Sequence, residues 1–334
     1  MTLDLPLLFA LVLAFAVAMY VVMDGFDLGI GILFPLAPEE SDRDTMMNSI
    51  APIWDGNETW LVMGGVLLLG AFPVAYSTLL PAFYVPLMAM LFALIFRGIA
   101  FEFRFRATRR RRLWDWSFAG GSTLASFCQG LVLGGFIDGV PVNGSVFAGT
   151  AWGFLSPFAV ACGLGLVAGY TLLGAGWLIF KTEGTTVAFA RKIARPALIA
   201  TLTFIVFISL WTPVTHSAIE QRWFSAPNIL FLWPVPLLTA FIGWRIWTSI
   251  DGTGEVRTFL FSIALFLLAL FGLGISLFPY AVPPSVTIWQ AAASMPTLRF
   301  IGVGVVVILP ITLAYLAYAH WIFRGKAGAA YGSE

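Results

Sequence analysis

Charge is what this sequence has least of. Only 10% of its 334 residues are Asp, Glu, Lys or Arg, far below the roughly 25% of soluble domains, while 60% are hydrophobic. A chain of this composition belongs in a membrane. Neither sign is in excess, since 18 Lys and Arg stand against 17 Asp and Glu, so no basic surface exists to hold nucleic acid, and soluble enzyme and DNA-binding classes fall away. Cysteine is nearly absent too. Cys128 and Cys162 lie far apart inside apolar runs, where they read as small packing groups and not as metal ligands. The two histidines, His216 and His320, fall in a loop and in a last helical turn, whereas haem ligands should project from mid-helix. The chain is thus expected to be redox-silent, with no metal or cofactor of its own. No basic n-region precedes the first apolar run, so a cleavable signal peptide is not expected.

What the sequence has instead is long apolar runs. Read with a window of about 20 residues, it predicts nine transmembrane helices: Leu5 to Leu36, Ser49 to Phe72, Thr78 to Phe101, Asp115 to Phe136, Thr150 to Phe180, Arg195 to Thr212, Ile229 to Thr248, Thr258 to Phe278 and Leu298 to Phe323. The connections are short and rich in Pro and Gly, which implies one all-α polytopic domain over 1–323 and a short tail over 324–334. With nine spans, sixteen of the eighteen Lys and Arg fall on one side, leaving Arg222 and Arg299 opposite. This bias places the N-terminus in the periplasm and the tail in the cytoplasm, and makes the run Arg109 to Arg112 a topology signal. Gly pairs at spacing four (Gly25 and Gly29, Gly130 and Gly134, Gly165 and Gly169) predict close helix contacts. Trp114, Trp116, Trp223, Trp233 and Trp321 read as interfacial anchors.

The informative charges are acidic. Asp24 and Asp27 in MDGFDLGIG lie well inside the first span, and Asp55 and Glu58 in IWDGNETW lie in the first turns of the second, which returns from the same side. Each pair has i, i+3 spacing and so shares a helical face. Adjacent antiparallel helices could therefore bring four carboxyls together beside Trp54, Asn57 and Trp60, with no intramembrane Lys or His to pair with them. A carboxylate there costs several kcal/mol unless it is paired, protonated or hydrated. Such groups suit a proton relay. They equally suit the capping of interrupted helix ends, with Asp55 stabilised by the dipole of the second helix, and for Asp55 the residues alone leave both readings open.

The strings VVMDGFDLGIG, NSIAPIWDGNETW, FRGIAFEFR, LWDWSF and SLFPYAVPPS, in this order over nearly the whole chain, resemble subunit II of the cytochrome bd family of respiratory quinol oxidases. The W-D-G-N-[EQ]-x-W element, here Trp54 to Trp60, is the most specific, and the compact loops are similar to the cyanide-insensitive subgroup. The resemblance implies two four-helix bundles plus a peripheral helix in the bacterial inner membrane. It implies a partner, subunit I, that carries haems b and d (or a b variant) and the quinol site, and often a small single-span subunit. Subunit II itself would hold no haem. The assembled enzyme would oxidise two quinols and reduce O₂ to two waters, with protons from the cytoplasm passing along acids that correspond to Asp24 and Asp55. Asp27 and Glu58 are expected to belong to the same proton path, Glu58 at a position where relatives have Gln. Trp60 matches a residue near an oxygen route, and a structural quinone or lipid binds this subunit in some relatives. A proton-coupled transporter and a purely structural assembly subunit are the competing readings.

Overall fold

A computed structural model of the chain describes residues 4–107, 109–144, 146–252 and 255–327. Fourteen helices follow one another: α1 Leu5–Leu33, α2 Glu40–Asn48, α3 Trp54–Ala71, α4 Pro73–Ala82, α5 Tyr84–Arg106, α6 Arg111–Asp138, α7 Pro157–Lys181, α8 Gly184–Thr215, α9 Ser217–Phe224, α10 Asn228–Leu232, α11 Pro234–Ser249, α12 Glu255–Leu277, α13 Ile288–Ala291 and α14 Met295–Ile322. Two short hairpins complete the order, β1 Val142–Asn143 with β2 Val146–Phe147, and β3 Tyr280–Val282 with β4 Val286–Thr287. Local chemistry sets several boundaries. The Asp4 carboxylate accepts from the Leu7 amide at 3.1 Å and Pro6 occupies the first turn of α1; Ser156 and Pro157 repeat the device at α7, a capping residue followed by a proline whose missing N–H costs nothing there.

Eight of the helices are long and apolar enough to cross a membrane among the described residues. The predicted span from Ser49 to Phe72 becomes α3, whose opening turns carry Asp55, Asn57, Glu58 and Thr59, and this polar start keeps it out of that set. Elsewhere the structure moves the predicted ends. The span expected from Thr78 is broken at Phe83 between α4 and α5 and runs on to Arg106. Residues before Ser156 do not join α7. Helix α8 begins at Gly184 instead of Arg195, because Thr186, Phe189, Ala190 and Ala194 form a buried stripe at helical spacing that Arg191, Lys192 and Arg195 hide from a hydropathy average. Of the expected tail over 324–334, residues 328–334 lie outside the described residues; Lys181 holds its start, donating to the carbonyls of Phe323 and Gly325, the latter at 2.7 Å.

Helix α1 is the axis of the fold, packed on α3, α6, α7 and α12. Glycine makes its closest crossing possible: a Cβ at Gly29 would stand 1.8 Å from the Tyr170 carbonyl oxygen on α7, so the two backbones touch where any side chain would separate them. The same logic joins α6 to α7, where a Cβ on Gly130 would fall 2.5 Å from the Gly163 Cα. The apolar interior divides along α1. One part gathers Phe26, Leu33, Phe34, Met46, Phe118 and Trp177, and the other Phe9, Tyr20, Trp60, Phe72, Phe83 and Val282. Asp24 and Asp27 sit where the two parts meet.

Candidate functional site: a buried arginine among acids

Sequence reasoning grouped Arg97 with the loop cations; the structure buries it. Its side chain is 0% exposed, and its Nη1 lies 3.1 Å from Asp24 Oδ1 and 3.6 Å from Glu58 Oε2, with Nη2 3.9 Å from Asp27 Oδ2. Neither Lys nor His is expected beside these acids, and an arginine is the cation that pairs with them. Arg97 stands in α5 only three turns from the basic end of that helix, so linear position favoured a flank. Its phase favours the interior: Ala93, Arg97, Ala100 and Arg104 are all buried, a stripe at i, i+4, i+7, i+11 that faces α1 and α6.

Three helices build the site. From α1 come Asp24 and Asp27, both 0% exposed. From α3 comes Asn57, whose Nδ2 donates to Asp27 Oδ2 at 2.8 Å, together with Glu58, whose side chain keeps 24% of its surface open. Aromatic rings close the remaining sides. Trp54 stacks on Phe101 with centroids 4.6 Å apart, and the Arg97 guanidinium lies 6.0 Å and 5.8 Å from the two ring centres, a cation–π arrangement that suits a weakly hydrated guanidinium. Trp60 is buried one turn beyond Asn57, edge-on to Phe15 at 5.7 Å. Asp55, by contrast, is exposed on the chain's surface in the first turn of α3. Of the four carboxyls considered together from sequence, three surround Arg97 and the fourth stands outside, acting electrostatically on Glu58.

One guanidinium against three carboxyls leaves an excess of negative charge in a water-poor interior, where an unpaired ion costs several kcal/mol. Neither Asp24 oxygen, nor Asp27 Oδ1, nor any Arg97 nitrogen has a well-aligned protein hydrogen bond. Such a group of atoms is equipped to hold and exchange protons, with Glu58 as its member nearest the surface.

A second arginine of α5, also fully buried, organises the neighbouring end. Arg104 Nη1 meets Asp44 Oδ1 and its Nε meets Asp115 Oδ1, each at 2.6 Å. Arg111 pairs with Glu40 at 2.7 Å and also with Asp44. Asp42 accepts from Thr185 and Thr186, both at 2.7 Å. Helix α2 is therefore anchored by its acids to α5, α6 and α8.

The two histidines lie at the ends of helices. His216 caps α8, its Nδ1 2.8 Å from the Thr215 hydroxyl, and its Nε2 is 3.7 Å from Asp138 Oδ1. His320, in the last turn of α14, has its Nδ1 3.0 Å from the Leu316 carbonyl. They stand at the ends of different helices, and each has Nδ1 engaged locally. No group of three His, Cys, Asp or Glu suited to a metal ion occurs among the described residues.

The chain is similar to known proteins over most of its length. The profile of the family described as cytochrome bd terminal oxidase subunit II matches residues 5–323. The chain is 29% identical over 344 residues to the cytochrome bd-I ubiquinol oxidase subunit 2 of Escherichia coli (strain K12), covering 92% of this chain and 91% of that protein. It is 25% identical over 314 residues to the cytochrome bd ubiquinol oxidase subunit 2 of Bacillus subtilis (strain 168), with 91% of each covered. Its fold is similar to a chain of the bd oxidase structure from Geobacillus thermodenitrificans, with a TM-score of 0.75 at 17% identity over 96% of this chain and 99% of that one.

Proposed function

The chain belongs to the cytochrome bd terminal oxidase subunit II family, and on that premise we propose that it serves a membrane-bound quinol oxidase as the subunit without haem, carrying protons from the cytoplasm toward the site of oxygen reduction. The observation that carries this reading is the buried cluster of Asp24, Asp27, Glu58 and Arg97. In this reading electron transfer and quinol oxidation belong to the partner, subunit I, which carries the haems where oxygen is reduced. A small single-span subunit and a structural quinone or lipid complete the proposed assembly. The nine predicted spans, as two four-helix bundles and a peripheral helix with the N-terminus in the periplasm, provide the frame.

Each residue then has a task. Asp55, exposed at the start of α3, takes up a proton from the cytoplasmic side, and an acid in that first turn is stabilised by the helix dipole. Glu58, one turn on and partly open, links it to the interior. Asp24 holds the proton at Oδ1 or Oδ2 against the Arg97 guanidinium. Because Arg97 stays charged throughout, it lowers the cost of every ionised intermediate without itself releasing a proton. Asn57 fixes Asp27, and Trp54 and Trp60 keep bulk water and lipid from the cluster, Trp60 beside the oxygen route that the family likeness suggests.

The test is oxygen consumption by purified complexes bearing Asp24→Asn or Asp55→Asn. Both should retain their haem spectra and lose turnover, by roughly a hundredfold where the slowed step gains about 2.7 kcal/mol; Glu58→Gln should be milder. Near-normal turnover in both Asn variants would return these acids to a structural role.

A further inference from the structure

In the middle of α6 one polar side chain lies apart from the acids and from every loop. Gln129 Nε2 donates to the Tyr20 hydroxyl at 2.7 Å, and its Oε1 accepts from the Tyr170 hydroxyl at 2.8 Å. Tyr170 is 0% exposed and Tyr20 is 7% exposed, so the three residues tie α1, α6 and α7 together inside the protein. Space for the contact comes from α1 itself: a Cβ on Gly25 would lie 2.7 Å from the Tyr170 ring. Nothing in the proton path proposed above uses these groups.

The sense of this chain carries the argument. An amide donates from one end and accepts at the other, so its orientation fixes which way each hydroxyl points. Here Tyr170 gives its proton to the amide oxygen, and the amide nitrogen fills a lone pair on the Tyr20 oxygen. The single proton of Tyr20 is then free to point away from Gln129. Asp24 lies four residues on, one turn along the same face of α1, and both of its carboxyl oxygens are buried without a protein hydrogen bond. With the amide reversed, Tyr20 would have to donate to Gln129, and the Tyr170 proton would be stranded in the interior at the cost of an unmade hydrogen bond. In the observed orientation the Tyr170 proton has its acceptor, and the Tyr20 proton is left for an acceptor elsewhere on α1. The other groups facing Asp24 are Arg97 of α5 at 3.1 Å, Glu58 of α3, Asp27 on its own helix and the more distant Tyr170 of α7.

We infer that Tyr170, Gln129 and Tyr20 form a one-way hydrogen-bond chain that aims the Tyr20 hydroxyl at Asp24, making Tyr20 and Gln129 positioning residues for the acid that carries the proton. This inference rests on the proton-carrying role of Asp24 for its effect on turnover, but not for the hydrogen-bond chain itself. Tyr20 supplies a donor when Asp24 is ionised and relaxes when the carboxyl is protonated, while Arg97 remains in place in both states.

The test uses the assembled, purified oxidase with Tyr20→Phe, Gln129→Met, Tyr170→Phe and Asp24→Asn. The Asp24→Asn difference identifies the infrared carboxyl band of Asp24. In complexes with normal haem content, that band should shift in Tyr20→Phe and in Gln129→Met, and turnover should fall about tenfold in both, the weight of one hydrogen bond to a charged group. Tyr170→Phe should do less, since Gln129 can still donate to Tyr20. Tyr20→Phe removes one oxygen atom and keeps the ring, so it remains informative if Gln129→Met fails to assemble. An Asp24 band that stays in place in the assembled variants overturns the inference. A band that moves while Asp24→Asn keeps full turnover supports the hydrogen-bond chain and overturns the proton-carrying role instead.

Discussion

Replacing Arg97 with Gln removes the one cation that three carboxyls share. The distances are 3.1 Å to Asp24, 3.6 Å to Glu58 and 3.9 Å to Asp27, with Arg97, Asp24 and Asp27 fully buried. At an effective dielectric near 20, a pair of unit charges about 4 Å apart attracts by about 4 kcal/mol, and the cost of stripping water from the guanidinium offsets much of that in the native protein. Once the guanidinium is gone, the carboxyls keep their own desolvation cost without compensation, and such losses come to about 3–5 kcal/mol. That is a large part of the roughly 5–15 kcal/mol that holds an ordinary domain together. Arg97→Gln should therefore lower the temperature at which the purified complex loses its haem spectrum by roughly 10 °C, or prevent assembly. Combining it with Asp24→Asn removes an acid along with the cation, so the double variant should be more stable than the summed losses, by about 0.5–3 kcal/mol for groups in direct contact. The assay is thermal loss of the haem spectrum in the wild type, both single variants and the double variant. Strict additivity, or an Arg97→Gln complex as stable as wild type, would refute the claim that this arginine neutralises the cluster.

Four further outcomes are expected. Gly29→Ala places a Cβ where the Tyr170 carbonyl stands, forcing α1 from α7 at a cost of about 1–3 kcal/mol; a complex with unchanged thermal stability would show that the crossing can open freely. A reporter active only in the periplasm should be active when fused after Val142 and silent after Arg110, and the reverse pattern would invert the topology. Replacing both His216 and His320 with Ala should leave the visible spectrum of the assembled oxidase unchanged, because both rings sit at helix ends. A haem-bearing partner should also co-elute with the tagged chain, as a free-standing transporter would not require.

The division between sequence and tertiary structure runs through single helices. Apolar runs separated by Pro, Gly and charge locate the membrane helices from composition alone, since a helix that satisfies its own backbone can cross lipid and an irregular segment cannot. Glycine at spacing four announces close crossings for the same local reason, and Gly29 and Gly130 make them. The acids at 24, 27, 55 and 58 are legible because an ionisable group inside an apolar run is costly wherever the helix turns. What a linear pattern lacks is each helix's rotation about its axis. Asp55 and Glu58 differ by about 60° around α3 at 3.6 residues per turn, and packing of Asn57 and Trp60 against α1 turns Glu58 toward Arg97 and leaves Asp55 at the surface. Arg97 illustrates the same limit from the other side. Its neighbours in sequence are the arginines of a helix end, while its neighbours in space are acids from α1 and α3, and that pairing exists only after the three helices have met.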